Sequence, residues 1–188
     1  ATYAAEALKK GYEVVIVSGD KDLMQLIRPG VEFYDPMKDK FFTPEDVKEK
    51  FGVYPEQVAD VQALSGDSID NVPGVPGIGP KTAAELVNQF GSLEGVLEHA
   101  GEIKQNKRRE TLLANLDNAR ISKQLVQLKN DVPVEHDLEE YGCRNPELTT
   151  LLHFVDEHGF KSLKPRLEKW VSEQCADPLN SQAKNALK

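Results

Sequence analysis

Apolar and polar positions repeat with two different periods along the chain. Near the start, Val14, Val15, Ile16 and Val17 form a β-branched run without polar alternation, the pattern of a strand buried on both faces of a parallel sheet. Val31–Asp35 is a second strand candidate. Around these strands the period lengthens to that of a helix. Ala4, Ala5 and Leu8 share one side of a segment over 1–10 that Gly11 closes. Leu23, Met24, Leu26 and Ile27 give a helical stripe after the first strand. A polar turn over 36–40 leads to Phe41 and Phe42, and Thr43, Pro44 and Asp46 then spell an N-cap, a first-turn proline and a near capping box. Gly52 ends that helix.

From Pro55 onward only the helical period recurs. Val58, Val61 and Leu64 point inward on one helix, and Ala83, Leu86, Val87 and Phe90 on the next, which Gly91 stops. Ser92 caps a short helix to His99. Leu112, Leu113, Leu116 and Ala119 form a further buried stripe, continued as helix by Ile121 to Leu128. Asp131–Val134 reads as an extended connector. Asn145-Pro146 opens another helix, with Leu148, Leu151, Leu152 and Val155 inward, and Leu163, Leu167, Trp170 and Val171 make the last stripe. The expected fold is therefore an α/β part with a partial parallel sheet followed by an all-helical part. The expected boundaries are 1–50 for the α/β core, 51–172 for the helical subdomain and 173–188 for a polar, flexible tail.

Composition changes this picture in two ways. A net charge of −8 argues against a protein that coats DNA nonspecifically, but not against a metal-dependent nuclease, whose site is built from carboxylates. Cys143 and Cys175 are too few for a disulfide framework or a zinc site, which fits a reducing, cytoplasmic setting. No apolar run is long enough to span a membrane.

The chemistry gathers in three places. Asp20 and Asp22 follow the first strand, at the edge where open α/β sheets bind ligands, although both also suit a helix N-cap and first turn. Asp67 and Asp70 lie in Gly66–Gly74 and can equally be turn residues. Two such pairs are the material for magnesium, and a pair of cations about 4 Å apart is the device that hydrolyses phosphodiesters. Next, Val75-Pro76-Gly77-Ile78-Gly79-Pro80-Lys81-Thr82 reads as a helix-hairpin-helix, whose bared glycine amides and helix N-terminus hold a backbone phosphate while Lys81 adds charge. Finally, Lys104, Lys107, Arg108 and Arg109 form a basic cluster that is either a solvated face or a second phosphate track. The four histidines show no metal-ligand spacing, and Trp170 suits the core better than a base-stacking platform.

Val15–Leu26, Tyr54–Val58 and Leu64–Gly79, with Phe154–Leu167 as closing helices, resemble the 5′ nuclease (flap endonuclease) family in the form found in bacterial DNA polymerase I. The resemblance runs from residue 1 to about Lys169 and implies a resolvase-like, PIN-like core. It implies a structure-specific phosphodiesterase, dependent on Mg2+ or Mn2+, that removes 5′ ends and flaps at nicks in replication and repair. On this resemblance Asp20, Asp22, Asp67 and Asp70 match metal-binding aspartates. Gly74, Gly77, Ile78, Gly79, Lys81 and Thr82 fall in the DNA-gripping hairpin, with Lys104, Lys107 and Arg108 beside it, and the hairpin often holds K+ in this family. It further implies a fused polymerase domain, a monomeric chain and a cytoplasmic, nucleoid-associated location. Family members carry further acidic ligands and a helical arch upstream of the segment that Ala1 opens. The longer protein is thus the expected enzyme, while these 188 residues are expected to bind DNA without efficient cleavage. The competing readings are a non-catalytic helix-hairpin-helix module and a PIN-like ribonuclease, which would not need the Pro-Gly-Ile-Gly hairpin.

Overall fold

A computed structural model describes residues 1–142 and 147–176, with two compact units that divide after His136. In the first unit, helix α1 (Thr2–Lys9) leads into a three-stranded sheet of β1 (Val14–Val17), β2 (Val31–Asp35) and β3 (Lys40–Phe42), in that order. β1 pairs with β2 in parallel, Val14 opposite Val31 and Val17 opposite Tyr34; β2 pairs with β3 antiparallel, Phe33 opposite Phe42. Among the described residues β1 is an edge strand of this sheet. Val15 and Val17 are 51% and 63% exposed, so the strand is not buried on both faces as its composition suggests. Only its Ile16 side packs on the core, and no described residue covers the other.

The stripe after β1 folds as a 3₁₀ turn, Lys21–Leu26, rather than an α-helix. Arg28 precedes Pro29, and the proline ring excludes the α region for the residue before it, which leaves too little chain to propagate a helix. The turn still buries Met24 and is capped by Asp20, whose carboxylate accepts the Asp22 N–H at 2.9 Å.

Helix α2 (Pro44–Phe51) carries the expected capping box: the Asp46 N–H donates to Thr43 Oγ1, and the Thr43 N–H donates to the Asp46 carboxylate. A hydrogen bond from Lys40 Nζ, then bonds from the Thr43 amide and hydroxyl, hold the Asp46 carboxyl down at about 2. A carboxyl depressed on folding stabilises the native state above its unfolded value near 4 and loses that contribution as pH falls toward 2. Asp46→Asn is therefore expected to lower the melting temperature near neutral pH, with the difference from the parent chain closing as the pH reaches 2. Thermal melts of both chains across that range check it.

Helix α3 (Val58–Ser65) is the centre of the unit. All its residues from Val58 to Leu64 are buried, including two polar ones, Asp60 and Gln62. Lys123 answers Asp60 with an ion pair of 2.7 Å, and Gln62 reaches Asp22. α4 (Pro80–Phe90), α5 (Leu93–Glu98) and α7 (Leu116–Val126) pack around α3, and α6 (Asn106–Ala114) joins the same core through Leu112. The core is continuous across the expected boundary at residue 50: Met24, Phe33 and Val47 share it with Leu64, Ala83 and Val87. Burial of each of the larger side chains contributes about 2 kcal/mol. The stripe expected over 112–119 is broken at Asn115 (φ −130°), which separates α6 from α7. The change of register leaves Leu112 and Ala119 buried but Leu113 exposed.

The second unit pairs α8 (Leu148–Glu157) with α9 (Lys164–Ala176). His158 stacks on Phe154 with ring centroids 4.1 Å apart, Lys164 pairs with Asp156 at 2.7 Å, and Val155 is buried. Trp170 is 37% exposed rather than in the core. The expected helix start at Asn145-Pro146, Cys143 and residues 177–188 of the expected tail lie outside the described residues; 173–176 belong to α9. No described helix is long and apolar enough to cross a membrane.

Candidate metal centre and nucleic-acid interface

The loop that ends α3 is shaped by its backbone. Asp67 and Val72 exchange both N–H···O bonds, at 3.0 and 2.8 Å, so residues 68–71 bulge out and carry Asp70. Asn71 takes a left-handed conformation (φ +56°), which asparagine tolerates. At the neck, Gly66 and Gly74 lie backbone on backbone, both at positive φ, and a Cβ on Gly74 would sit 2.3 Å from the Gly66 nitrogen. The Gly74 N–H donates to Ser122 Oγ on α7 at 2.9 Å, and the Val75 N–H donates to the Leu64 carbonyl at 2.8 Å. The loop is thus pinned to the helical core, and its carboxylates face the end of β1.

There Asp22, Asp67 and Asp70 offer oxygens that lie within 4.8 Å of one another. Lys21 bridges two of them, donating to Asp67 Oδ2 in a short contact and to Asp22 Oδ1 at 3.2 Å. That hydrogen bond is the main cause of an Asp67 carboxyl below the usual carboxylate range, outweighing its burial. Conversely, burial pulls the Lys21 ammonium down, yet its bonds to Asp67 and Asp22 leave it above its ordinary value. Gln62 Nε2 donates to Asp22 Oδ1 at 2.5 Å, while its buried Oε1 meets no donor among the described residues. Three converging carboxylates with one protein cation between them, beside an orphaned buried amide oxygen, fit a hard, oxygen-seeking divalent ion. Asp20 is not among the converging group; it caps the turn that aims Asp22.

The second feature is the hairpin over 75–79. Val75 and Ile78 are buried anchors, and the Ile78 N–H donates to the Val75 carbonyl at 3.0 Å. Gly77 needs its glycine for φ +77°. Gly79 does not: its φ is −85°, and a Cβ there would meet nothing within 4 Å. Gly79 is the N-cap of α4 and offers no side-chain oxygen, so the first-turn N–H groups of Lys81 and Thr82 have no acceptor within the helix. Arg108 Nη2 donates to Thr82 Oγ1 at 3.4 Å, which brings the basic cluster of α6 to this helix end. Arg109 instead turns inward to the Ile103 carbonyl and Asn106.

Comparison with known proteins places this geometry. The family model "5'-3' exonuclease, C-terminal SAM fold" matches residues 53–149, and "5'-3' exonuclease, N-terminal resolvase-like domain" matches residues 1–52. The chain belongs to the 5′-3′ exonuclease family. Among relatives, the DNA polymerase I of Rhizobium leguminosarum is 52% identical over 93% of this chain and 17% of its own length. The 5'-3' exonuclease of Aquifex aeolicus is 39% identical over 89% of this chain and 57% of its own length. The chain thus spans about a fifth of its polymerase relatives and just over half of that exonuclease. Among solved structures, T5 5'-exonuclease with bound zinc aligns with a TM-score of 0.61 at 24% identity, over 66% of this chain and 47% of that one. The catalytic core of Rad2 in complex with DNA aligns at 0.52 and 20% identity, over 83% and 56%. These two show the shared fold.

Of the four aspartates expected at the site, Asp22, Asp67 and Asp70 meet and Asp20 does not join them. Gly74 spends its N–H on Ser122 at the neck, and the Ile78 side chain is buried in the core. Lys104 and Lys107 are exposed on and just before α6. Sequence reading missed Lys21, Gln62 and Lys50. Lys50 approaches Met24 Sδ at 3.8 Å, and its ammonium is pushed down by burial and by Lys38 and Lys21. Gln62 sits in the inward register of a buried helix, and a polar residue there was the one available signal.

Proposed function

We propose that this chain is the metal-binding and duplex-gripping part of a structure-specific DNA 5′-3′ exonuclease and flap endonuclease, joined to a polymerase domain in the longer protein. The ion proposed for Asp22, Asp67 and Asp70, with Asp20 beside them, is Mg2+ or Mn2+, and K+ is proposed for the hairpin. When bound, the divalent ion supplies Lewis-acid stabilisation of the phosphodiester and an activated water. The chain's own part is positional. Asp67 and Asp70 are held by the glycine neck, Asp22 by Gln62 and the 3₁₀ turn, and Lys21 keeps the carboxylates from repelling one another. The hairpin amides and Lys81, with Arg108, Lys104 and Lys107 behind them, hold the duplex backbone.

The observation that carries this reading is Gly79. Its conformation and surroundings would admit a Cβ, yet the position is kept bare at the N-cap of α4, next to first-turn amides that no side chain caps, the approach a phosphate needs. Gly79→Val is therefore expected to leave Mn2+ binding unchanged and, at this N-cap, to cost no more than about 1 kcal/mol of stability. It should weaken binding of a 5′-flap duplex about tenfold, as expected for losing a charge-assisted phosphate contact. Fluorescence anisotropy over a salt series measures it; an affinity equal to the parent's would overturn the hairpin reading.

A further inference from the structure

Gln62 is 5% exposed, in the middle of the most buried helix of the molecule. Its amide is used by half. Nε2 donates to Asp22 Oδ1 at 2.5 Å, but Oε1 has no donor among the described residues. A buried carbonyl oxygen without a partner is costly, and proteins keep one where something outside the chain completes it. The two ends of a primary amide lie little more than 2 Å apart. With one end on Asp22 at 2.5 Å, the other is itself buried and lies within about 5 Å of the Asp22 carboxylate, a member of the cluster. Apart from Asp22 and the Asp60–Lys123 pair, the core built on this helix is apolar, so an apolar residue of the same size would have filled the position without the orphan.

Resting on the metal reading above, we infer that Gln62 is a positioning residue for the bound cation: its amide nitrogen fixes the Asp22 carboxylate, and its free oxygen accepts a hydrogen from a water in the cation's shell. Magnesium and manganese keep several waters in protein sites, so an outer-shell acceptor is what such an ion requires. Gln62 also tells the two occupants of the cluster apart. The Lys21 ammonium is satisfied by Asp22 and Asp67 and leaves Oε1 idle, whereas a hydrated ion uses it. Gln62 thereby favours exchange of the internal cation for the external one.

The test uses Mn2+ alone on the full chain, with isothermal titration for affinity and thermal melts with and without the ion. Gln62→Leu and Gln62→Met keep the volume and remove the amide. Both are expected to melt, without metal, at or above the parent temperature, because an orphaned polar atom has gone. Both should bind Mn2+ about tenfold more weakly and lose most of the metal-induced rise in melting temperature. Asp67→Asn reports separately on the cluster. If Asp67→Asn loses Mn2+ while both Gln62 variants bind like the parent, the Gln62 inference falls and the metal reading stands. If Asp67→Asn also binds like the parent, the metal reading falls and takes the Gln62 inference with it. A Gln62 variant that melts lower but binds Mn2+ normally shows a structural role alone and overturns the inference.

Discussion

Asp67→Asn is expected to weaken Mn2+ binding by about 100-fold or more. Loss of a partner that merely orients a ligand already costs about 10- to 100-fold in metal affinity. Asp67 offers its oxygen directly to the cluster and is nearly buried, with 11% of its side chain exposed. Asparagine keeps the local turn, because its side-chain oxygen can still accept the Ile69 N–H, and the backbone bridge between Asp67 and Val72 does not involve the side chain. What disappears is one negative charge and the stronger half of the Lys21 bridge. The fold should therefore persist, and the duplex binding proposed for the hairpin should change little, while metal affinity collapses. Isothermal titration with Mn2+ measures the effect, and an unchanged affinity would show that the carboxylates pair with Lys21 for structure alone.

Gly74→Ala is expected to cost about 3 kcal/mol of stability, a fall in melting temperature of roughly 10 °C for a chain of this size. Holding alanine at φ +62° costs about 1–2 kcal/mol. The new methyl would lie 2.3 Å from the Gly66 nitrogen and 2.7 Å from its Cα, so the neck must open. Opening it strains the hydrogen bond to Ser122 Oγ, worth about another 1 kcal/mol. Because the neck holds Asp67 and Asp70 in place, Mn2+ binding should fall together with stability. Gly79→Ala is the matching control, since it meets neither a positive φ nor a neighbour and should lose only the smaller helix-capping contribution, about 1 kcal/mol or less. A melting temperature for Gly74→Ala within a degree or two of the parent would show that the backbones separate freely.

Local chemistry was legible wherever one short segment carries the whole cause. The Thr43–Asp46 capping box, the stop at Gly91, the Ser92 cap and the 75–79 hairpin depend on neighbours within a few residues, and each forms as its residues require. The errors lie where distant chain decides. Four β-branched residues in a row are equally at home on an edge, and whether Val15 and Val17 are covered depends on what packs across them. Leu113 follows the helical period but loses its place because Asn115 resets the register. The stripe after β1 satisfies a helix on paper, yet Pro29 leaves room only for a tighter turn.

For the site the division is sharper. Residue types and spacing alone determined the carboxylate pairs, the glycine-proline hairpin and the helix opening at Pro80, because metals and phosphates are recognised by functional groups that short motifs carry intact. Only the tertiary structure decided which acids meet. It joined Asp22 to Asp67 and Asp70 across 44 intervening positions, left Asp20 as a cap, and placed Lys21 between the carboxylates with Gln62 behind them. Burial and charge balance at that point are properties of packed surfaces from three separate segments, and no single segment encodes them.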